Sequence, residues 1–160
     1  MMPLDLTILS PAVVTRAIIS ERENPMRFVV IVLLIIAAHF SLTPFAPTQA
    51  GKAWFGWPFA ADSKPILAFV GGLPAQSGSV LTPLLAGLAG LGFLAALAAL
   101  FGIVIPAGWW RPLMMVAGIA SALLYVLYFG RWSPLPLALN AVLLWGVLAQ
   151  NWSVEMLRGG

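Results

Sequence analysis

Residues 83–105 read PLLAGLAGLGFLAALAALFGIVI, a run without one charged side chain. At ~1.5 Å per residue, a helix of this length reaches across the ~30 Å apolar core of a bilayer. Three further runs share its character: 25–43 (PMRFVVIVLLIIAAHFSLT), 112–129 (PLMMVAGIASALLYVLYF) and 134–152 (PLPLALNAVLLWGVLAQNW). The sequence therefore reads as an all-α integral membrane protein with four transmembrane helices. Composition agrees. Of 160 residues, 61% are hydrophobic and only 8% are charged. A soluble domain carries about 25% charged residues and cannot cover its surface with so few. The same figures exclude a disordered chain. The net charge of +3 comes from scattered Lys and Arg and forms no basic patch, so no nucleic-acid partner is expected.

Proline and its neighbours mark the helix ends. Asn24-Pro25, Thr82-Pro83 and Ser133-Pro134 each set a capping residue before a proline at the first helical position. Proline fits there because its missing N–H would be unpaired anyway. Thr43-Pro44 and Ile105-Pro106 stand where helices should stop. Small residues then supply helix-packing faces, which in lipid depend on close backbone approach. Gly92, Ala95, Ala96, Ala99 and Gly102 form such a stripe in the second run, and Gly118 and Ala122 in the third. Ala138, Ala141 and Gly146 do the same in the fourth.

Charge sets the expected orientation. With the N-terminus inside, the cytoplasmic segments hold Arg16, Arg22, Arg27, Arg111 and Arg158, and the outer ones Lys52, Lys64 and Arg131. The excess favours both termini inside. Trp109, Trp110, Trp132 and Trp152 fall at span ends, as interfacial anchors do.

Two regions lie outside the spans, so the chain divides into an arm (1–24) and a transmembrane domain (25–160). In the arm, Ser10-Pro11 precedes Val13, Val14, Ala17 and Ile18, which share one helical face. This suggests a short helix on the inner membrane surface, the alternative being a loosely ordered tail. The outer loop, 44–80, carries Trp54, Phe55, Trp57 and Phe59, followed by the apolar stretch 64–70. Its aromatics are expected to lie against the bundle, with a short interfacial helix over 64–70, or to bury against a partner subunit. Read from Met26, the run 28–40 with Thr48-Gln49-Ala50 also resembles a cleavable signal peptide. The adopted reading keeps residues 1–50 in place.

Polar residues at membrane depth are functional candidates by default. Here they are His39, Ser121, Tyr125, Tyr128 and Asn140. Helix rise puts His39, Tyr125 and Tyr128 roughly 20–24 Å from the inner end and Asn140 roughly 9 Å from the outer end, all in the outer third. His39, Tyr125, Tyr128 and Asn140 are thus the candidate contacts for a quinone or lipid head group. His39 has two other readings. It hydrogen-bonds a neighbour such as Asn140 or a tyrosine, or it ligates a haem or chlorophyll-type pigment. The third is disfavoured because Ile35, not a small residue, stands four positions earlier. Asn140 and Ser121 also suit helix–helix contacts.

Other chemistries lack their residues. There is no Cys, one His, and no Gly-rich phosphate loop. Asp5, Glu21, Glu23, Asp62 and Glu155 all lie outside the apolar runs, so no buried acid carries a proton or cation. No catalytic or metal site is expected, and no cofactor beyond a bound lipid or quinone.

An Ala/Leu/Pro-rich four-span chain with one His and surface-lying ends resembles the small supernumerary subunits of bacterial electron-transport complexes, such as alternative complex III. The resemblance is one of size and style, and transfers no site residue. It implies a non-catalytic accessory subunit in the bacterial inner membrane, partnered by other membrane subunits, which stabilises assembly and borders a quinone or lipid site. The alternatives are a stand-alone quinone-interacting or redox-linked protein, similar in span count to the DoxX-like family, and a small transporter.

Overall fold

The computed structural model describes residues 25–61, 63–65 and 80–159. The proposed surface helix of the arm lies outside these residues, as do positions 66–70 of the proposed loop helix. The described chain is mostly helical. Its order is α1 (Pro25–Leu42), β1 (Lys64–Pro65), α2 (Leu81–Phe101), α3 (Trp110–Leu127), β2 (Tyr128–Phe129), α4 (Pro134–Leu148) and α5 (Val154–Arg158). Short 3-10 turns extend α1 over Thr43–Phe45 and precede α3 over Ala107–Trp109.

Three segments, Pro25–Phe45, Leu81–Phe101 and Ala107–Leu127, are long and apolar enough to cross a membrane. The fourth apolar helix, Pro134–Leu148, is shorter at 15 residues, or about 22 Å. It stops before Trp152 because the chain turns back on itself. The Trp152 N–H bonds the Gly146 carbonyl at 3.0 Å. Its indole covers the face of Gly146, where a Cβ would strike the ring. Asn151 makes the turn at φ 51°.

Other boundaries also move. α2 ends at Phe101, short of Ile105, because Gly102 enters the left-handed region at φ 71°. Ile103 N–H then reaches back to the Ala98 carbonyl at 2.9 Å, the closing bond of a Schellman turn. Gly102 is thus a helix stop and not part of a packing stripe. α3 begins at Trp110, with Pro112 inside its first turn. It ends two residues early because Tyr128 and Phe129 turn extended and pair antiparallel with Pro65 and Lys64. That pairing makes 64–65 a strand rather than the start of a helix. Neither expected hydroxyl cap forms. The Ser133 Oγ accepts from Gly130 N–H at 2.8 Å and so belongs to the preceding turn. Thr82 lies within α2, 4% exposed, and its hydroxyl has no partner.

The helices pack in chain order, α1 on α2, α2 on α3 and α3 on α4, with α2–α3 the most extensive contact and a lighter α1–α4 contact closing the bundle. The core holds Val30, Leu34, Phe93, Leu100, Trp110, Met114, Leu124 and Leu143, all at or near zero exposure. Ala86, Ala89, Ala96, Ala99 and Ala117 are buried among them and keep the backbones close. Large apolar side chains face outward as well, including Phe28, Ile35, Leu91, Val116, Ile119 and Trp145. An apolar exterior of this extent suits lipid or protein neighbours, not water.

One end of the bundle is tied by arginines. Helix C-termini leave carbonyls without partners. Arg158 Nε and Nη2 donate to Leu100 O (2.9 Å) and Ala99 O (3.2 Å) at the end of α2. Arg111 Nη2 donates to Val147 O (3.1 Å) at the end of α4, and Arg27 lies 5.5 Å over the Phe101 ring. α5 is N-capped by Ser153, whose Oγ accepts from Met156 N–H at 3.2 Å. The backbone N–H of Glu155, the Ser153 hydroxyl and Arg158 hold the Glu155 carboxyl below its usual range. Arg158→Ala is expected to free α5 from α2, at about 1–2 kcal/mol for the charged hydrogen bonds at an exposed site. Faster amide exchange confined to 153–159 and 99–103 would show it. Unchanged exchange there would mean that Leu157, not the guanidinium, holds the segment.

Candidate functional site

Proline again organises the local chemistry. In α1 the Phe40 carbonyl should accept from the N–H of residue 44, but residue 44 is a proline and has none. Two hydroxyls replace it. Tyr125 OH on α3 donates to Phe40 O at 2.6 Å, and Thr43 Oγ1 donates to the same oxygen at 2.6 Å. The two hydroxyls lie 3.3 Å apart. Each has one proton, and both protons are committed to Phe40, so their own contact adds no further donor.

A second knot sits beside it. Ser121 Oγ on α3 accepts from Ser41 Oγ on α1 (3.0 Å) and from Asn140 Nδ2 on α4 (2.8 Å). Ser41, Thr43, Ser121, Tyr125 and Asn140 are all at most 2% exposed. An unpaired polar group so deep would cost about 1–3 kcal/mol. The two knots join three helices, and Asn140 and Ser121 act here as helix–helix contacts.

Residues 46–61 form a structured cover over this end. Phe59 is fully buried. It meets Tyr125 edge-on at 6.2 Å and Tyr128 at 6.5 Å. Tyr128 thus belongs to β2 and the cover, beyond the end of the helix in which it was expected. Trp132 Nε1 ties the loop to the α3–α4 turn through Ala53 O (3.0 Å). Thr48 O receives Ala61 N–H at 3.0 Å. Within the loop, Trp54 and Trp57 exchange backbone hydrogen bonds (3.3 and 2.9 Å), making a tight hairpin with Phe55 and Gly56 at its tip. Trp57 Nε1 donates to Ala46 O at 2.8 Å. A Cβ at Gly56 would fall 2.5 Å from the end of the Trp54 ring, so any other residue at the tip would have to displace that indole.

His39 meets this hairpin. It is exposed on α1, with Nε2 2.9 Å from Gly56 O. A carbonyl only accepts, so Nε2 carries the proton and donates. The ring stands edge-on to Trp57 at 5.4 Å. Its partner is therefore the loop backbone, not Asn140 or a tyrosine. His39 lines a groove of about 740 Å³ open on the side of the bundle, with Ile35, Ile36 and Phe40 of α1, the Trp54–Trp57 hairpin, and Leu135 and Leu139 of α4. Tyr125, Tyr128 and Asn140 do not line it. Of the four predicted site residues, one stands at an open site and three lie inside the protein.

A second, more polar pocket of about 330 Å³ lies between the loop and the α3–α4 turn, lined by Ser63, Gly130, Arg131 and Trp132 among others. Among the described residues no three His, Asp or Glu side chains gather as a metal site would require. Ser41, Thr43 and Gly56 were missed as partners. The spacing Phe40-x-x-x-Pro44 was the available signal, since it orphans a carbonyl wherever a helix runs into a proline. Comparison with known proteins finds no matching family model, no similar curated protein and no similar solved structure.

Proposed function

We propose that this chain is a four-span protein of the bacterial inner membrane, serving as a non-catalytic accessory subunit of a larger complex, one of electron transport. In this role it stabilises assembly and borders a quinone or lipid site at its side. One observation carries the reading. The polar side chains Ser41, Ser121, Tyr125 and Asn140 hold α1, α3 and α4 to one another at bundle depth. Beside the polar pocket under the loop, a lateral, apolar groove with His39 in its wall stands open, and a neighbouring molecule in the membrane would complete it. Lateral sites of this kind suit a subunit that walls a site rather than one that runs a reaction.

The fourth helix supports a span despite its length, because a short apolar helix is accommodated by local thinning and by flanking anchors. Arg27, Arg111 and Arg158 gather at one end of the bundle, in keeping with a cytoplasmic face there. The outward aromatics Trp54 and Phe55, 50% and 60% exposed, offer a surface for neighbouring subunits. The size and style shared with accessory subunits of alternative complex III point the same way. The second reading is a stand-alone quinone-interacting protein, for which the groove beside His39 would be the working site.

Purification of the tagged native protein in mild detergent separates the two, with mass spectrometry of what accompanies it and a visible spectrum. Stoichiometric recovery of redox subunits is expected. A lone particle would refute the accessory role.

A further inference from the structure

We infer that the groove beside His39 binds a flat, hydroxyl-bearing ring with an apolar tail, a benzoquinol, and that it takes the reduced form over the oxidised one. The inference rests on reading this groove as the quinone or lipid site, and adds which chemical form it selects. The volume of about 740 Å³ falls in the range of small-molecule sites. Ile35, Ile36, Leu135 and Leu139 supply aliphatic walls for a tail, and the Trp54–Trp57 hairpin supplies aromatic faces for a ring.

Selectivity follows from the hydrogen-bonding state of His39. The Gly56 carbonyl holds the proton on Nε2. In the neutral ring Nδ1 is then an acceptor only. No second partner of this imidazole occurs among the described residues, and the side chain is exposed. A quinol offers an O–H donor to that lone pair. A quinone offers only carbonyl oxygens, so it would set lone pair against lone pair. The indole N–H groups do not reverse this. Trp57 Nε1 is committed to Ala46 O. Trp54 can donate to an oxygen of either form, so it does not discriminate. One hydrogen bond gained against one repulsion corresponds to about a tenfold preference. For a two-electron couple, tenfold tighter binding of the reduced form raises the potential of the bound couple by about 30 mV.

The test uses the full-length chain in nanodiscs. Binding of decylubiquinol, decylubiquinone and the dimethyl ether of the quinol is measured by equilibrium dialysis. The expected order is quinol tightest, with the quinone and the ether each about tenfold weaker. In His39→Phe, which keeps a ring but removes the acceptor, the three affinities should converge. That ratio is taken within one protein, so it does not depend on the yield of folded variant. Equal or tighter binding of the quinone, or a ratio unchanged in His39→Phe, would overturn the inference. So would displacement of all three by dioleoylglycerol at equal concentration, which would identify the occupant as a lipid. The assay needs no partner subunit. A lone particle in the purification above would therefore refute the accessory role and leave the quinol preference standing.

Discussion

Tyr125→Ala is expected to lower stability by about 3–5 kcal/mol, the range for removing a large buried aromatic. Tyr125→Phe should cost far less, about 0.5–1.5 kcal/mol, in line with single hydrogen bonds between membrane helices. The difference has a structural cause. The tyrosine ring is fully buried and meets Phe59 of the loop cover. Its hydroxyl shares the Phe40 carbonyl with Thr43, so losing it alone leaves that carbonyl one donor. Removing both donors, in Tyr125→Phe with Thr43→Val, orphans the carbonyl that Pro44 cannot serve. The double variant should therefore lose more than the sum of the two singles, by about 0.5–3 kcal/mol of coupling. Unfolding of the four proteins by a denaturing detergent titration gives the cycle directly. Strict additivity would mean that water or lipid reaches Phe40, and that the knot is not sealed.

Gly92→Leu is expected to be among the most damaging single changes in the bundle. It lies at the α2–α3 contact, the most extensive between helices. Even a methyl group at Gly92 would stand 2.9 Å from Ala117 Cβ and 3.4 Å from its Cα. Neither atom can rotate away, so the helices must separate. Overpacking of a tight core costs about 1–3 kcal/mol, and a leucine against backbone belongs at the top of that range or above it. Gly118 provides the control. A methyl group there would meet Leu144, 2.7 Å from Cδ2 and 2.9 Å from Cγ, and these side-chain atoms can swing away together about χ1. Gly118→Ala should accordingly cost under about 1 kcal/mol. A membrane fraction that yields folded Gly118→Ala but little folded Gly92→Leu is the expected result. Equal yields would show that α2 and α3 do not approach as closely as described.

The helices were legible in the sequence, and most of the site was not. Depth and polarity single out His39 in the sequence, but its partner was not predictable. Gly56 has no side chain to advertise itself, and the hydrogen bond uses its backbone carbonyl. Ser121 and Asn140 were recognised as contacts between helices, yet Ser41, which completes their knot, is 80 positions from Ser121. Tyr125 and Tyr128 looked alike from spacing along one helix. The pairing of β1 with β2 separates them, leaving Tyr125 on α3 and Tyr128 in the cover.

By itself the sequence determined the properties that add up locally. Apolar runs, prolines, glycines and the sparse charges each act on their own neighbourhood, so they define where helices form and how the arginines are distributed. Tertiary structure alone decided the rest. It laid Arg158 of α5 over the carbonyls that end α2, and it closed the Ser41–Ser121–Asn140 knot across three helices. It also brought the Tyr125 hydroxyl to the Phe40 carbonyl. These outcomes depend on directional hydrogen bonds and steric fit between segments far apart in the chain. Hydropathy carries no information about such pairings, because it is blind to direction and to distance along the sequence.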